Sequence, residues 1–467
     1  MHLFVKDKGF YTRLLVLAVP ITLQGLINFG INVADTMMLG RLGEVPMSAA
    51  ALANQFFFLF MILNFGMAGG AGVLTGQFWG KGDRAAIERT LSIVLRLSEA
   101  VALVFFLACQ IAPQGILSLY TNDPAIVEQG GQYLKILSWS FLVQGLSTVS
   151  AIVLRTVGVV RLTLVTALVT LLNNMFLNWV LIFGNLGAPA MGVAGAAAAT
   201  TISRVLEFLV IAVFLLRIDK KIGFRLRSLL HLDLDILRDY ARNGLPVLVS
   251  DTFLALGMNV SSAIIGHLGA SFVAANSITM VVWQLMSVLL MGIAGASSVI
   301  VGNTVGQKRY DDVQRYGVTF LAMSAIVGVI SLVGLLLLRG VAADFYNVTA
   351  QTRSLVREIM MATAVVSALS SVNMMLTKGV LRAGGDTKFL MLADVLFLWA
   401  VSIPLGYVMA MVLNMPAWVI VLALRFDEVI KCVWCTARLL SGKWIKNVTI
   451  GIGERADNAP SLTEVAP

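Results

Sequence analysis

The chain has 467 residues, of which 58% are hydrophobic and only 13% are charged. Soluble domains carry about 25% charged residues, so this composition excludes a soluble globular protein and indicates one whose solvent is largely lipid. The net charge of +9 would suggest a nucleic-acid partner in a soluble protein, but here we attribute it to cytoplasmic loops and expect no nucleic-acid partner.

Apolar segments recur along the whole chain, each long enough to cross a bilayer, which takes about 20 residues. Charged residues or glycine and proline clusters bound them. They cover 13–38, 49–75, 92–113, 131–154, 162–184, 191–216, 244–266, 273–300, 316–338, 357–380, 388–412 and 416–438. We therefore predict an all-α integral membrane protein with twelve transmembrane spans, numbered here in that order.

Basic residues are distributed unevenly over the loops. Even-numbered loops and the C-terminal end should be basic if the N-terminus is cytoplasmic, because positive residues stay on the cytoplasmic side. These regions hold Lys81, Arg84, Arg89, Arg155, Arg161, Arg217, Lys220, Lys221, Arg225, Arg227, Arg238, Arg242, Lys308, Arg309, Arg315, Arg382, Lys388, Arg438, Lys443 and Lys446. The odd loops hold only Arg41, Lys135, Arg339, Arg353 and Arg357. The alternation predicts twelve spans with both termini in the cytoplasm.

The two halves of the chain repeat at a constant offset of 226 residues. The matched pairs are Pro20 and Pro246, Gly40 and Gly266, Gly66 and Gly292, Gly76 and Gly302, and Gly80 and Gly306; further on, Val153–Arg155 matches Val380–Arg382 at an offset of 227. Six spans per half give both halves the same orientation. This predicts two parallel lobes that bind substrate between them and rock against each other.

The sixth loop is long and mixes leucines with basic residues between Ile222 and Leu237. That pattern predicts a helix lying on the inner membrane surface. The polar C-terminal end has no apolar periodicity and is predicted to be disordered. The predicted divisions are an N-lobe (1–216), a cytoplasmic linker (217–243), a C-lobe (244–446) and a cytoplasmic tail (447–467).

Asp35 in span 1 is the strongest candidate for function, because a carboxylate within a membrane is costly. It ends a polar stripe on that span that also contains Gln24, Asn28 and Asn32. Burial favours a neutral carboxyl, so Asp35 could exchange a proton. Ionised Asp35 could instead bind Na⁺, with further oxygens from Asn174 and Asn178, one turn apart on span 5, and from Thr200 on span 6. The alternative is inter-helix hydrogen bonding, worth about 0.6 kcal/mol per bond.

Asp251 lies about one turn beyond Pro246, where its repeat counterpart is Gly25, whereas the counterpart of Asp35 is Ser261. The lobes therefore carry their carboxylates at different heights, and their sites should not be equivalent. Asp251 either attracts a cationic compound or a proton, or is a structural residue near the start of its helix.

Asp394 in span 11 is a further candidate for substrate binding, with a structural pair to Arg382 or Lys378 as the alternative. Span 12 contains opposite charges that can neutralise one another, which favours packing over transport; they are Arg425, Asp427, Glu428 and Lys431. Flexible and aromatic side chains suit a cavity with broad specificity. The candidates for the cleft are Met280, Trp283, Gln284 and Met286, with Phe56 and Met61.

Several distinctive motifs are spread along the whole chain. They include NVADTMMLGRLG at 32–43, GxxxGxxxxxGxxxGKGD at 66–83, LRxxG at 154–158, NNMFLNWxLI at 173–182, GxxGAAxAT at 192–200 and LRAGGDTK at 381–388. In this order they resemble the multidrug and toxic compound extrusion (MATE) family. The resemblance implies a V of two six-helix lobes and export of cationic and amphipathic drugs by Na⁺ or H⁺ antiport. It maps the family's N-lobe cation site onto Asp35, Asn174, Asn178 and Thr200.

The sequence departs from that family pattern at three positions. Some archaeal-type members have a second Asp where this chain has Asn178, which weakens a two-carboxylate proton relay here and favours Na⁺. One branch has acidic residues where this chain has Leu254 and Ser371, which puts the C-lobe cation site of that branch in doubt here.

The sequence thus predicts a cation-coupled antiporter of the inner membrane of a prokaryote, a monomer that exports small organic compounds. The alternatives are a flippase for lipid-linked oligosaccharides or peptidoglycan precursors, of the same wider superfamily, and a receptor or scaffold. Flippases usually line their cleft with Arg and Lys, whereas here few basic residues beyond Arg96 and Arg204 lie within N-lobe spans. We expect no enzyme activity and no cofactor, since Cys432 and Cys435 lack a second metal-binding pair and no nucleotide-binding P-loop is present.

Overall fold

The computed structural model describes residues 4–231, 233–346 and 348–449, which form helices and loops with no β-strand among them. Eleven helical segments are long and apolar enough to cross a membrane, and a twelfth is divided in two. In order they are α1 (Lys8–Gly40), α2 (Glu44–Lys81), α3 (Arg84–Ile111), α4 (Pro124–Thr156), α5 (Arg161–Phe183), α6 (Val193–Ile218), α7 (Leu245–Gly266), α8 (Ala270–Gly306), α9 (Tyr310–Phe345), α10 (Ala350–Ala383), α11 (Thr387–Val412) and α12 (Ala417–Leu424 with Asp427–Leu440). The predicted all-α membrane fold is confirmed.

The helix ends follow local sequence signals. The Asp7 and Asp83 side chains accept hydrogen bonds from the first free backbone amides of α1 and α3, which stabilises a helix start. Gly82 ends α2 at a φ of 84°, in the left-handed region that favours glycine. Within α10, a π-helical turn at Met375–Val380 locally widens the helix. The caps fix where α1 and α3 begin and where α2 ends.

The linker differs from the single helix predicted between Ile222 and Leu237. A 3₁₀ turn covers Leu226–Leu230, and a separate short helix covers Leu234–Asn243. The Asp233 side chain starts that helix by accepting from the amides of Asp235 and Ile236. The linker is also attached to the N-lobe through apolar packing; its buried members are Ile222, Phe224, Ile236 and Tyr240. Most of the predicted tail lies outside the described residues.

The repeated glycines bring α2 and α8 into backbone contact between the lobes. A Cβ atom built on Gly80 would lie 1.9 Å from the carbonyl oxygen of Asn303, and one on Gly306 would lie 1.9 Å from the carbonyl oxygen of Gln77. Only glycine permits this approach. The sequence repeat thus has a physical cause, because matched glycines from the two halves meet at one crossing.

Gln77 joins the lobes beside this crossing. Its amide group donates to the carbonyl oxygens of Ala383 (3.0 Å) and Lys446 (3.2 Å), and its oxygen accepts from the amide of Val448 (2.9 Å). Its repeat counterpart Asn303, in the amide orientation that satisfies both of its polar groups, donates to the carbonyl oxygens of Gly76 and Thr156. The described end of the chain is therefore part of the contact between the lobes.

The lobes meet at one end and separate at the other. The first half of α1 packs into a cluster with the C-lobe, in which Phe10 and Leu14 are buried with Val299 and Phe320. This is the end at which the chain begins and at which its described part finishes. Toward the opposite end the facing helices become exposed, as at Phe58 of α2 and Leu285 of α8. The result is a V-shaped cleft that is closed at the end where α1 begins and the described part of the chain finishes.

Candidate cation site and interlobe cleft

A chain of hydrogen bonds links α1, α5 and α6 inside the N-lobe. The Asn178 amide donates to Asp35 Oδ1 (2.5 Å) and to Asn174 Oδ1 (3.2 Å), and the Asn174 amide donates to Thr200 Oγ1 (3.4 Å). The structure thus brings together the four residues that the sequence suggested as a cation site. We call these four residues the N-lobe polar chain.

The helices dictate how these side chains meet. Asn174 and Asn178 lie one turn apart on α5 and are 1% and 0% exposed, so that face of α5 is turned into the lobe. Asp35 makes no ion pair with any described residue. Arg204 of α6 acts on it only at longer range and is itself paired with Glu207 (2.8 Å). Asp35 therefore has an amide, not a cation, as its direct partner.

The oxygens of the N-lobe polar chain are not fully used by the protein. Asn178 Oδ1 is buried and accepts no hydrogen bond within the described part of the chain. Buried acceptors are nearly always satisfied, so an orphaned one needs an explanation. Together with the Asp35 carboxylate and the Thr200 hydroxyl, it forms the oxygen-rich set that a hard cation such as Na⁺ prefers. The same arrangement also allows the single carboxylate of Asp35 to carry one proton.

Asp251 on α7 lies in a very different environment. Its carboxylate accepts from Arg382 Nη1 (3.1 Å) and Nη2 (2.8 Å) and also from Lys378 Nζ. The π-helical turn of α10 contains Lys378, and Arg382 follows it by four residues, so both cations reach α7. Asp251 is thus neutralised by two basic residues, which disfavours its use in attracting a cationic compound.

Asp394 does not pair with Arg382 or Lys378, the structural partners expected from the sequence. It is 2% exposed on α11, accepts from the Ser250 hydroxyl (2.6 Å) and lies 3.7 Å from Lys431 Nζ. Lys431 also pairs with Asp427 (2.8 Å) within α12. The long side chains of the basic residues expected at Asp394, Lys378 and Arg382, reach Asp251 on α7 instead. This places Asp394 in the C-lobe interior, away from the cleft.

The remaining substrate candidates lie in four different environments. Asn28, Asn32 and Gln284 are exposed, and Met280 is partly buried. Trp283 and Met286 line a cavity of about 20 Å³ inside the C-lobe, which also contains Ser371. The Gln24 side chain is held by Arg155 across the N-lobe (3.1 Å). The exposed amides on α1 and α8 are therefore the candidates best placed to meet a compound in the cleft.

Sequence reasoning treated Arg155, Arg382 and Lys378 only as topology signals or structural partners. The structure places Arg155 in the last turn of α4 and Arg382 in the last turn of α10, with both side chains directed between helices. The signal that could have found them was the repeat itself, since an arginine recurs in a matched motif of each half.

Comparison with known proteins gives a consistent result. The MatE family model matches residues 20–180 and 246–408, more than half of the chain, once in each lobe. The chain is 27% identical over 411 residues to the "Probable multidrug resistance protein NorM" of Mesorhizobium japonicum, covering 85% of this chain and 86% of the relative. It is 24% identical over 401 residues to the "Multidrug resistance protein MdtK" of Yersinia pestis, covering 85% and 87%.

Solved structures share the fold. A protein described as the "Outward-facing conformation of a multidrug resistance MATE family transporter of the MOP superfamily" superposes with a TM-score of 0.84 at 17% identity, covering 92% of this chain and 96% of the other. The "Crystal structure of MATE in complex with MaL6" gives a TM-score of 0.83 at 17% identity with the same coverage. At this identity the similarity shows the architecture alone.

Proposed function

The chain belongs to the multidrug and toxic compound extrusion family, and from that premise we propose that it exports small organic compounds in exchange for Na⁺ or H⁺. The observation that carries the proposal is the N-lobe polar chain, in which Asp35 has no cationic partner among the described residues and Asn178 has an unused buried oxygen. Relatives named multidrug resistance proteins support amphipathic or cationic drugs as substrates.

Helix α1 is the element that can link cation binding to movement of the lobes. Its first half packs against the C-lobe through residues such as Phe10 and Leu14, whereas Asp35 near its other end bonds to α5 of the N-lobe. Pro20 lies between these two regions and removes one backbone hydrogen bond of α1. Binding of a cation at Asp35 would repack the outer half of α1 and thereby change its fit against the C-lobe.

The proposed cycle is alternating access. With both termini in the cytoplasm, the closed end of the V faces the cytoplasm and the cleft opens outward. A cation entering from outside displaces the compound at this stage, and the lobes then rock to open the other end. One net charge that crosses 100 mV supplies about 2.3 kcal/mol, which supports roughly a 50-fold gradient of an exported compound without net charge; a cationic compound exchanged for one cation depends on the cation's concentration gradient instead. We place the protein, as a monomer, in the inner membrane of a prokaryote.

Efflux from proteoliposomes tests this proposal. Purified protein is reconstituted with ethidium inside the vesicles, and a Na⁺ gradient and a pH gradient are imposed separately. Efflux driven by Na⁺ alone would support an oxygen cage at Asp35, Asn174, Asn178 and Thr200. Efflux driven only by pH would make Asp35 a proton carrier. Gradient-driven efflux that is unchanged in Asp35→Asn would refute the site.

A flippase for lipid-linked oligosaccharides is the second candidate, favoured by three basic residues near the lobe interface, Arg155, Lys378 and Arg382. Two of them are already engaged by Asp251, which weakens this candidate. Absence of ethidium efflux under either gradient, with translocation of a fluorescent lipid-linked pyrophosphate in the same vesicles, would favour it over drug export.

A further inference from the structure

Two matched arginines occupy equivalent places in the two lobes. Arg155 ends α4, and Arg382, its repeat counterpart, ends α10. Each faces a matched glycine of the opposite lobe: a Cβ built on Gly295 would lie 3.8 Å from Arg155 Nη1, and one on Gly69 would lie 3.1 Å from Arg382 Nη1. Both guanidinium groups therefore lie at the closed end of the cleft, each close to the backbone of the opposite lobe.

The two arginines differ in their partners. Arg382 holds the carboxylate of Asp251 with both terminal nitrogens. The N-lobe has no carboxylate there, because Gly25 stands in place of Asp251. Arg155 Nη2 donates only to the neutral Gln24 Oε1 (3.1 Å), and its buried Nε has no acceptor among the described residues. The C-lobe thus pairs its arginine with a carboxylate, whereas the N-lobe arginine has no anionic partner among the described residues.

An unpaired cation inside a membrane protein is expensive, and removal from water is compensated only by a partner of opposite charge. The planar guanidinium group matches a carboxylate through two parallel hydrogen bonds. Arg155 is partly exposed, as are Gln24 and Gly295 around it, so an anion can reach it from the space between the lobes. The missing carboxylate can therefore come from a compound in the cleft.

We propose that Arg155 is an anion subsite at the closed end of the cleft and that it binds the carboxylate of a transported zwitterionic compound. That the compound is transported rests on the function proposed above. A zwitterion would place its carboxylate at Arg155 and leave its cationic part toward the open end of the cleft.

Equilibrium binding tests the subsite without requiring transport. The probes are a rhodamine dye with a free carboxylate and its methyl ester, which differ only in the anionic group. Fluorescence anisotropy with the purified full-length protein in detergent gives the affinity of each dye. Arg155→Gln should weaken binding of the acid about tenfold, because a charge-assisted hydrogen bond is lost, and change binding of the ester less than twofold.

Arg161→Gln is the matched control, since it removes an exposed arginine at the start of α5 and should leave both affinities unchanged. Arg155→Lys retains the charge but not the paired geometry, and should weaken binding of the acid alone by a smaller factor. If Arg155→Gln does not yield folded protein, the Arg155→Lys variant tests the subsite in its place.

Equal loss of both dyes, no loss of either, or no binding of the acid by the wild-type protein would overturn the subsite. Displacement of the acid by phosphatidylglycerol would assign the anion to a lipid headgroup and would also overturn it. Selective binding of the acid in a protein that shows no gradient-driven efflux would reject the export function and leave the subsite standing.

Discussion

The N-lobe and the C-lobe share one helical plan but treat their carboxylates in opposite ways. In the N-lobe, Asp35 is bonded to an amide and has no ion pair with a described residue. In the C-lobe, Asp251 is paired with two cations, and Asp394 and Asp427 both lie beside Lys431. A paired carboxylate can accept a coupling ion only after its pair is broken, whereas Asp35 needs no such step.

This difference teaches that a duplicated fold need not contain a duplicated site. The matched glycines preserve the geometry of the lobe contact, while the polar residues have diverged within the same frame. We infer that the N-lobe is specialised for coupling and that the carboxylates of the C-lobe stabilise its fold.

The largest expected effect is that of Asp35→Asn, which should reduce gradient-driven ethidium efflux to the level of vesicles without protein. The substitution removes the only charge of the N-lobe polar chain but retains its shape. Thermal unfolding should change little, because no ion pair with a described residue is lost. Ser261→Ala, at the repeat counterpart, serves as control and should retain full efflux. Loss of efflux in both variants would contradict a site confined to the N-lobe.

Gly306→Leu should abolish most efflux as well, but by a different route. A side chain there meets the Gln77 carbonyl of the other lobe, so the closed end of the cleft cannot form. Because the clash lies between the lobes, each lobe should remain folded, with a stability cost of about 1–3 kcal/mol. Distances between spin labels at the closed end would report the separation. Wild-type distances in the variant would exclude this explanation.

Asp251→Asn should lower stability and retain coupling, whereas Asp35→Asn should retain stability and lose coupling. It leaves Arg382 and Lys378 without their counterion, and removing one partner of a buried ion pair costs about 3–5 kcal/mol. Unfolding in detergent should therefore begin at a clearly lower temperature, while protein that remains folded still couples efflux to the gradient. Normal stability together with lost coupling would place a coupling site in the C-lobe and remove the contrast between the lobes.

Asn178→Asp should have the smallest effect on efflux. The direction of that effect, toward H⁺ or toward Na⁺ as the driving ion, is what the variant reports. Two carboxylates within hydrogen-bond distance cannot both remain charged easily, so the pair retains a proton. Efflux driven by a pH gradient should rise relative to efflux driven by Na⁺, by a few-fold. Asn178→Ala, which adds no charge, should weaken both. An unchanged ratio in Asn178→Asp would indicate that Asn178 does not take part in coupling.

The sequence predicted the twelve spans, the all-α fold and the repeat, because hydropathy and charge act along one segment at a time. It also grouped Asp35, Asn174, Asn178 and Thr200, since α5 displays both asparagines on one face and the family resemblance supplied the rest. The structure of the linker was harder to predict from the sequence. Its alternation of leucine and basic residues suggested one helix, but the Asp233 cap and packing against the N-lobe divide it into a 3₁₀ turn and a short helix.

Only the tertiary structure decided which charges meet. Asp251 lies 127 residues from Lys378 and 131 from Arg382 along the chain, and no local pattern distinguishes that pairing from one with Asp394. The same holds for Arg155, which the sequence suggests is a loop charge but which donates a hydrogen bond to Gln24 of α1 in the structure. Periodicity fixes the face on which a residue lies, but its partner depends on how distant helices pack, and that is set by the glycine contacts and the shape of the whole molecule.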